Sequence, residues 1–269
     1  MTLAELDPGE GASPGDWAVV TGSSSGIGAA FARALRAEGR RVVLVARRTE
    51  RLQALRQELG PAATHVVALD LAQPGAAARL LAELDDRNLT VDLLVNNAGV
   101  GHSGRFHQQE PAVVLGMIDL NVRALVDLTR AVLPRMIARR RGAIINVVSM
   151  AAFQPVPYLS VYAATKAFVL AFTEGIATEI EGTGVGLQAL CPGNIPTEFQ
   201  RVAGTQNATF TKTPATSAEA VVAASLRGLR QKQLLVIPGL RNRLTASLLG
   251  LVPRAKVRHL ASRLFRPAD

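Results

Sequence analysis

Residues 17–28 read WAVVTGSSSGIG, and the order of properties along this stretch decides the fold. Trp17 to Thr21 is a short apolar run with branched side chains, the composition of a buried strand. A turn of glycines and serines follows at once, and from about Gly26 to Gly39 the spacing becomes helical. A strand that enters a helix through such a turn lets backbone N–H groups approach a ligand closely and points the positive end of the helix dipole at it. That arrangement suits a pyrophosphate. The spacing is GxxxGxG rather than the GxGxxG of the common dinucleotide fingerprint, so the turn alone is equally an ordinary strand-to-helix connection.

Outward from this stretch, apolar runs and helical segments alternate. RVVLVA (41–46), THVVAL (64–69) and VDLLVN (91–96) read as strands, with helices through 51–59 and near 75–84. A long helix from about Pro111 to Arg139, strands at 142–148 and 185–190, a helix from about Ser160 to Glu181 and a last strand at 234–237 complete the pattern. Strands joined by crossover helices form a parallel sheet. The fold class is α/β, a Rossmann-type doubly wound parallel sheet of about seven strands in a single domain. No repeat or linker interrupts residues 16–240; a flexible leader (1–15) precedes them and a basic amphipathic helical extension (241–269) follows. The polar, turn-rich stretch from Asn194 to Ser217 reads as a mobile loop over the site.

Tyr162 and Lys166 stand four apart in YAATK, on one face of the expected helix. A phenol has a reference pKa near ~10, and a neighbouring ammonium is expected to lower it by favouring the phenolate. Ser149, thirteen residues before Tyr162, supplies a hydroxyl to polarise a carbonyl while Tyr162 exchanges the proton. Taken alone, a tyrosine and a lysine at this spacing usually mean packing plus a solvated amine, so the pair depends on its context. The second strand ends VARR, with no acid to bond the ribose hydroxyls of NAD. Arg47 and Arg48 suit a 2′-phosphate and point to NADP(H); the plain alternative is a solvated pair at a helix start.

TGSSSGIG (21–28), NNAG (96–99), Asn121, Ser149, YAATK (162–166) and CPG (191–193) occur in this order. In that ordered set the chain resembles the short-chain dehydrogenase/reductases, over roughly residues 16–240. The resemblance implies that Gly22, Ser24, Ile27 and Gly28 line the pyrophosphate turn and that Arg47, with Arg48, meets the 2′-phosphate. It places Asp70 and Leu71 at the adenine, Asn97, Ala98 and Gly99 along the adenosine-side ribose, and Pro192, Gly193, Ile195 and Thr197 beside the nicotinamide and phosphates. Tyr162 is then the acid/base and Ser149 the carbonyl-orienting hydroxyl. Lys166 binds the nicotinamide ribose and depresses the tyrosine pKa, and Asn121 holds a water that links Lys166 to solvent. Read from its own position, Asn121 would be a kink or a satisfied buried amide. The chain departs from the family pattern twice. NIPTEF after CPG keeps Thr197 in register but adds Pro196, and Ser25 occupies a turn position often basic in NADP enzymes.

The implied activity is an NADP(H)-dependent oxidoreductase acting on CH–OH groups, interconverting a ketone or aldehyde and an alcohol. Its partners are a small-molecule carbonyl or alcohol substrate and further copies of itself in a dimer or tetramer, with the Tyr162 helix at the contact. An NADP(H)-binding regulatory or scaffold protein without turnover is the rival reading, but a binder has no need of Ser149.

Hydrophobic residues make up 48% of the 269, ample for a core of that size. A single Cys191 excludes an internal disulfide, and His65, His102, His107 and His259 show no metal-ligand spacing, so no metal is expected. No run approaches the roughly eighteen apolar residues of a membrane span, and the acidic start lacks a secretory pattern. A reducing, cytoplasmic setting fits. The net charge of +9 is concentrated at one end: from Ala220 onward lie ten of the 30 basic residues and one of the 21 acids. There Leu244, Leu248 and Leu251, and after Pro253 also Val257, Leu260 and Leu264, recur at helical spacing with arginines on the other faces. Such helices either cover the substrate cleft or a subunit contact, or lie peripherally on an anionic membrane. Nucleic acid is disfavoured, since only Phe265 offers a stacking surface in this tail. The apolar stretch AAFQPVPYL (151–159) and the leucine-rich tail suggest a hydrophobic or lipid-like substrate.

Overall fold

Strands β1 (Asp16–Thr21), β2 (Arg41–Ala46), β4 (Thr90–Asn96) and β5 (Gly142–Val147) are buried along nearly their whole length. That burial on both faces explains why they read as unbroken apolar runs rather than alternating ones. The computed structural model describes residues 16–266; the leader read at 1–15 lies outside them. With β3 (Thr64–Ala68), β6 (Val185–Leu190) and β7 (Leu235–Val236) the strands form one seven-stranded sheet, ordered β3-β2-β1-β4-β5-β6-β7. Every pairing is parallel. Alternate residues of β1 serve opposite layers. Ala18 and Val20 join a core with helices α1 (Gly26–Ala37), α2 (Thr49–Leu59) and α8 (Ala218–Arg230). Trp17 and Val19 face α3 (Ala76–Asp86) and α5 (Ala124–Arg139). Strand order reverses between β1 and β4, and a crevice opens beyond the carboxyl ends of the strands at such a switch point.

The structure corrects four details of the sequence reading. The expected helix over 111–139 covers that range but is not regular, with a π-helical turn over Asp119–Arg123 between α4 (Pro111–Ile118) and α5. The last strand pairs over two residues only, because Pro238 follows closely and has no N–H to donate to a ladder. The loop from Asn194 to Ser217 contains helix α7 (Glu198–Val202) and a 3₁₀ turn at Thr209–Lys212.

In the basic tail, α9 (Leu240–Leu249) and α10 (Arg254–Phe265) form on either side of Pro253, but the leucines divide. Val257 is buried and Leu264 half-buried, whereas Leu244, Leu248, Leu251 and Leu260 are 56%, 57%, 81% and 62% exposed. Of the set, expected to cover the cleft or a subunit contact or to lie on a membrane, only Leu264 reaches the cavity beside the site. The reason is that α9 turns Asn242 inward, onto Gly193, so that its leucines point away.

Candidate active site

The glycine-rich turn is held from both sides by backbone contacts. Gly22 has φ +65°, and a Cβ on it would lie 2.8 Å from Asn97 Nδ2. A Cβ on Gly28 would lie 2.4 Å from the Gly22 carbonyl oxygen, so the first turn of α1 rests directly on the strand end. Asn97 Nδ2 donates to Thr21 O (2.8 Å) and Gly22 O (3.3 Å), and Thr21 Oγ1 accepts from the N–H groups of Asn97 and Ala98, both at 2.9 Å. NNAG thus clasps the end of β4 to the end of β1. Ser25 makes no side-chain cap to α1, which leaves the first-turn amides without that acceptor.

These elements border a cavity of about 540 Å³. Of the cofactor-binding residues expected from the sequence, all line it except Gly28, which sits behind the turn. Arg47 is exposed on the rim. Arg48 is engaged: it donates from Nε and Nη2 to Ser24 Oγ (3.1 and 2.9 Å) and from Nη2 to Ser25 Oγ (3.0 Å), and its Nη1 pairs with Glu198 Oε2 at 2.7 Å. Glu198, on α7, also pairs with Arg51 and Arg201, both at 2.8 Å. Hydrogen bonds from Arg48, then Arg51, hold its carboxyl down at about 2. Arg48 thus ties the serines of the turn to the loop across the cavity, beside Arg47 on the cavity wall. Asp70 turns the chain after β3 by accepting from Ala72 N at 3.0 Å.

Catalytic candidates gather at the end of β5. Ser149 caps the 3₁₀ turn Met150–Phe153, its Oγ accepting from Ala151 N at 3.1 Å. Helix α6 (Ser160–Glu179) brings Tyr162 and Lys166 inward, both buried. Lys166 Nζ donates to Val147 O (2.7 Å) and stands 5.8 Å from the centre of the Tyr162 ring. Asn121 lies in the π turn, off the cavity wall. Its Nδ2 donates to Val100 O (2.9 Å) and Thr165 Oγ1 (3.1 Å), and its Oδ1 accepts from Val100 N (2.9 Å). A Cβ on Gly99 would lie 3.1 Å from Asn121 Oδ1 and 3.6 Å from Lys166 Nζ, so Gly99 fills the space between them. Asn121 is therefore a kinked-helix residue and a satisfied amide at once.

Electrostatics overturn one expectation. Burial pushes the Tyr162 phenol up to about 12, against a smaller downward pull from hydrogen bonding with Ser149. The same burial brings the Lys166 ammonium down to about 8. A cation that is itself destabilised by desolvation, and 5.8 Å from the ring, does not offset the cost of a buried phenolate. Burial thus favours the protonated Tyr162 phenol at neutral pH, opposite in direction to the lowering expected from the pair alone.

The far end of the cavity is apolar. The Tyr162 and Phe199 rings lie 5.3 Å apart, and Phe210 stacks on Phe265 at 4.5 Å. Met150, Leu159, Val202 and Leu264 complete this end, while Arg241, Asn242 and Thr245 enter from α9. Asn242 donates to Pro238 O at 2.7 Å and packs so near Gly193 that a Cβ there would lie 2.5 Å from its Nδ2. Sequence reasoning missed Glu198, Phe199, Phe210 and Asn242 as wall residues. Their only signal was membership of a turn-rich loop and a basic tail, since each acts through contacts distant in sequence. Among the described residues no cluster of His, Cys, Asp or Glu could hold a metal, and no helix is long and apolar enough to cross a membrane.

The doubly wound parallel sheet thus brings a serine, a tyrosine and a lysine together on one cavity beside a glycine-rich turn. Residues 16–208 match the family described as short chain dehydrogenase, and the chain belongs to that family. A short chain dehydrogenase of Pseudocercospora fijiensis is 38% identical over 194 residues, covering 71% of this chain and 63% of the relative. This chain thus spans less than two thirds of that relative's length. Among solved structures, a short-chain dehydrogenase from Sphingobium yanoikuyae in complex with NADPH is 34% identical with a TM-score of 0.77, over 90% of this chain and 97% of the other. A 7beta-hydroxysteroid dehydrogenase structure is 28% identical with a TM-score of 0.84, over 97% of this chain and all (100%) of the other.

Proposed function

We propose that the protein is an NADP(H)-dependent oxidoreductase that interconverts a hydrophobic, lipid-like ketone or aldehyde and the corresponding alcohol. The observation that carries this reading is the convergence of Ser149, Tyr162 and Lys166 on the wall of one cavity whose other end is the glycine-rich turn. The residues present fit the cofactor. The turn has no space for side chains at Gly22 or Gly28, the amides of α1 lack a cap from Ser25, and Arg47 and Arg48 stand beside them. The NADPH complex of the Sphingobium relative adds support. When bound, the cofactor supplies the hydride.

The chain's own residues do the rest. Ser149 and Tyr162 hold the carbonyl oxygen, and the neutral Tyr162 phenol gives its proton to the oxygen as negative charge develops there. A phenol held protonated favours reduction at neutral pH. Lys166 binds the nicotinamide-side ribose, and Asn121, tied to Thr165 on α6, positions the helix that carries the pair. Phe199, Phe210 and Phe265 exclude water and recognise an apolar body. The outer face of α6, where an exposed Phe168 stacks on Phe172 at 5.8 Å, is the contact through which copies associate.

A panel of hydrophobic ketones followed at the nicotinamide absorbance band tests the reading. Wild type is expected to turn over apolar members. Tyr162→Phe is expected to lose roughly 10²- to 10⁴-fold in rate while still binding NADPH. Turnover that survives the substitution refutes the mechanism, and cofactor binding without turnover on any substrate favours the binding-protein reading.

A further inference from the structure

Helix α9 exposes three of its leucines instead of burying them. A surface helix turns its apolar stripe to the core and its charges to solvent. Here Leu240, Leu244 and Leu248 are 73%, 56% and 57% exposed. At about 3.6 residues per turn they fall within an arc of roughly 80°. Asn242, the side chain that packs on Gly193, lies on the opposite face. None of the helix's residues is buried. Arg241 and Arg243 flank the leucine stripe on its two sides, as the same helical spacing requires. Just after the helix Leu251 (81%) and Val252 (40%) are exposed, and on α10 Leu260 (62%) is exposed as well.

The surroundings carry one sign of charge. Residues 240–266 contain seven basic side chains and no acid. Among the described residues no carboxylate pairs with Arg254, Lys256, Arg258 or Arg263. Exposed leucines in a segment whose charges are all basic complement an anionic, apolar partner. A second copy meeting this face through its own would set arginine against arginine. Nucleic acid would leave the leucines unpaired, since the one aromatic ring here, Phe265, is stacked on Phe210.

We infer that the exposed leucine stripe of α9, extended by Leu251 and Val252 and rimmed by arginines, docks the protein onto the surface of an anionic lipid bilayer. The leucines enter the boundary between headgroups and acyl chains, and the basic side chains stay at headgroup level. The element does not span the bilayer. Docking is independent of the redox reading, because the leucines it uses lie on the side of α9 opposite Asn242 and none of them lines the cavity.

Sedimentation with vesicles, without cofactor or substrate, tests this. The intact protein is expected to bind vesicles of phosphatidylcholine and phosphatidylserine at least tenfold more strongly than phosphatidylcholine alone, and high salt is expected to weaken the interaction. The double substitution Leu244→Glu/Leu248→Glu alters only exposed positions, so its circular dichroism and melting temperature should match wild type while vesicle binding falls tenfold or more. The inference is overturned by a folded double variant that binds as wild type does, or by an intact protein that ignores anionic vesicles. It is equally overturned if light scattering shows that the substitutions dissolve a dimer without changing lipid binding.

Discussion

Gly28→Ala places a methyl where the structure has none to spare. The added Cβ would stand 2.4 Å from Gly22 O and 2.6 Å from Asn97 Nδ2, short of an ordinary carbon contact by about 1 Å. Neither neighbour can retreat easily: one is backbone, and the other is fixed by bonds to Thr21 O and Gly22 O. The first turn of α1 has to lift from the end of β1. Overpacking of this kind costs about 1–3 kcal/mol, which in a domain of this size lowers Tm by roughly 2–12 °C. Moving a helix N-terminus away from a phosphate forfeits about 0.5–2 kcal/mol of its interaction, or roughly 2- to 30-fold in Kd. Gly116→Ala is the internal control, because nothing lies within 4 Å of its Cβ position in α4. There the same substitution is expected to stabilise the protein by about 0.5–1 kcal/mol. Thermal melts and a fluorescence titration with NADPH read both quantities. Wild-type Tm and Kd in Gly28→Ala, or equal destabilisation by Gly116→Ala, would refute the reasoning.

Arg48→Ala is expected to weaken NADPH binding and leave NADH binding unchanged in parallel titrations; equal losses for both would show that Arg48 serves only to tie Ser24 and Ser25 to Glu198. Because burial holds the Tyr162 phenol protonated up to about 12, above its free value of ~10, the phenolate required for alcohol oxidation grows as pH rises. Oxidation rates are expected to climb without a plateau between about pH 7 and 10, with no matching Tyr162-linked fall in reduction; an oxidation plateau in the lower half of that range contradicts the assignment. Asn146 is fully buried, accepting from Asn96 Nδ2 and donating to Thr173 Oγ1, both at 2.9 Å. Asn146→Ala should therefore cost about 2–4 kcal/mol in thermal or denaturant melts, from the cavity and the polar groups left unpaired.

Much of the sheet was legible because its strands are local apolar runs and its turn chemistry is concentrated in a few glycines and serines. The candidate catalytic side chains were legible for a similar reason: Tyr162 and Lys166 share one helix face, and Ser149 follows the end of a strand. What escaped depends on contacts made through space. Glu198 meets Arg48 across 150 positions of sequence, and no spacing rule connects them. The tail's leucine periodicity fixed that helices form there but not which way they face, since a stripe has the same period whether it meets the core or solvent. The Tyr162 pKa moved opposite to expectation because the pair was weighed by proximity, whereas burial acts on both members.

The π-helical turn over Asp119–Arg123 bears on how long this chain has to be. Such a turn holds one residue more than an α-helix needs. Deleting that surplus residue would join α4 and α5 into one regular helix and leave Leu128, Val132 and Met136 in their present register against the sheet. A shorter sequence could thus satisfy the same core. It would lose the widened turn that carries Asn121 to Val100 and Thr165. A one-residue deletion here is expected to melt cooperatively like the parent yet lose turnover, and a deletion variant that turns over as the parent does would refute that reading of the surplus residue.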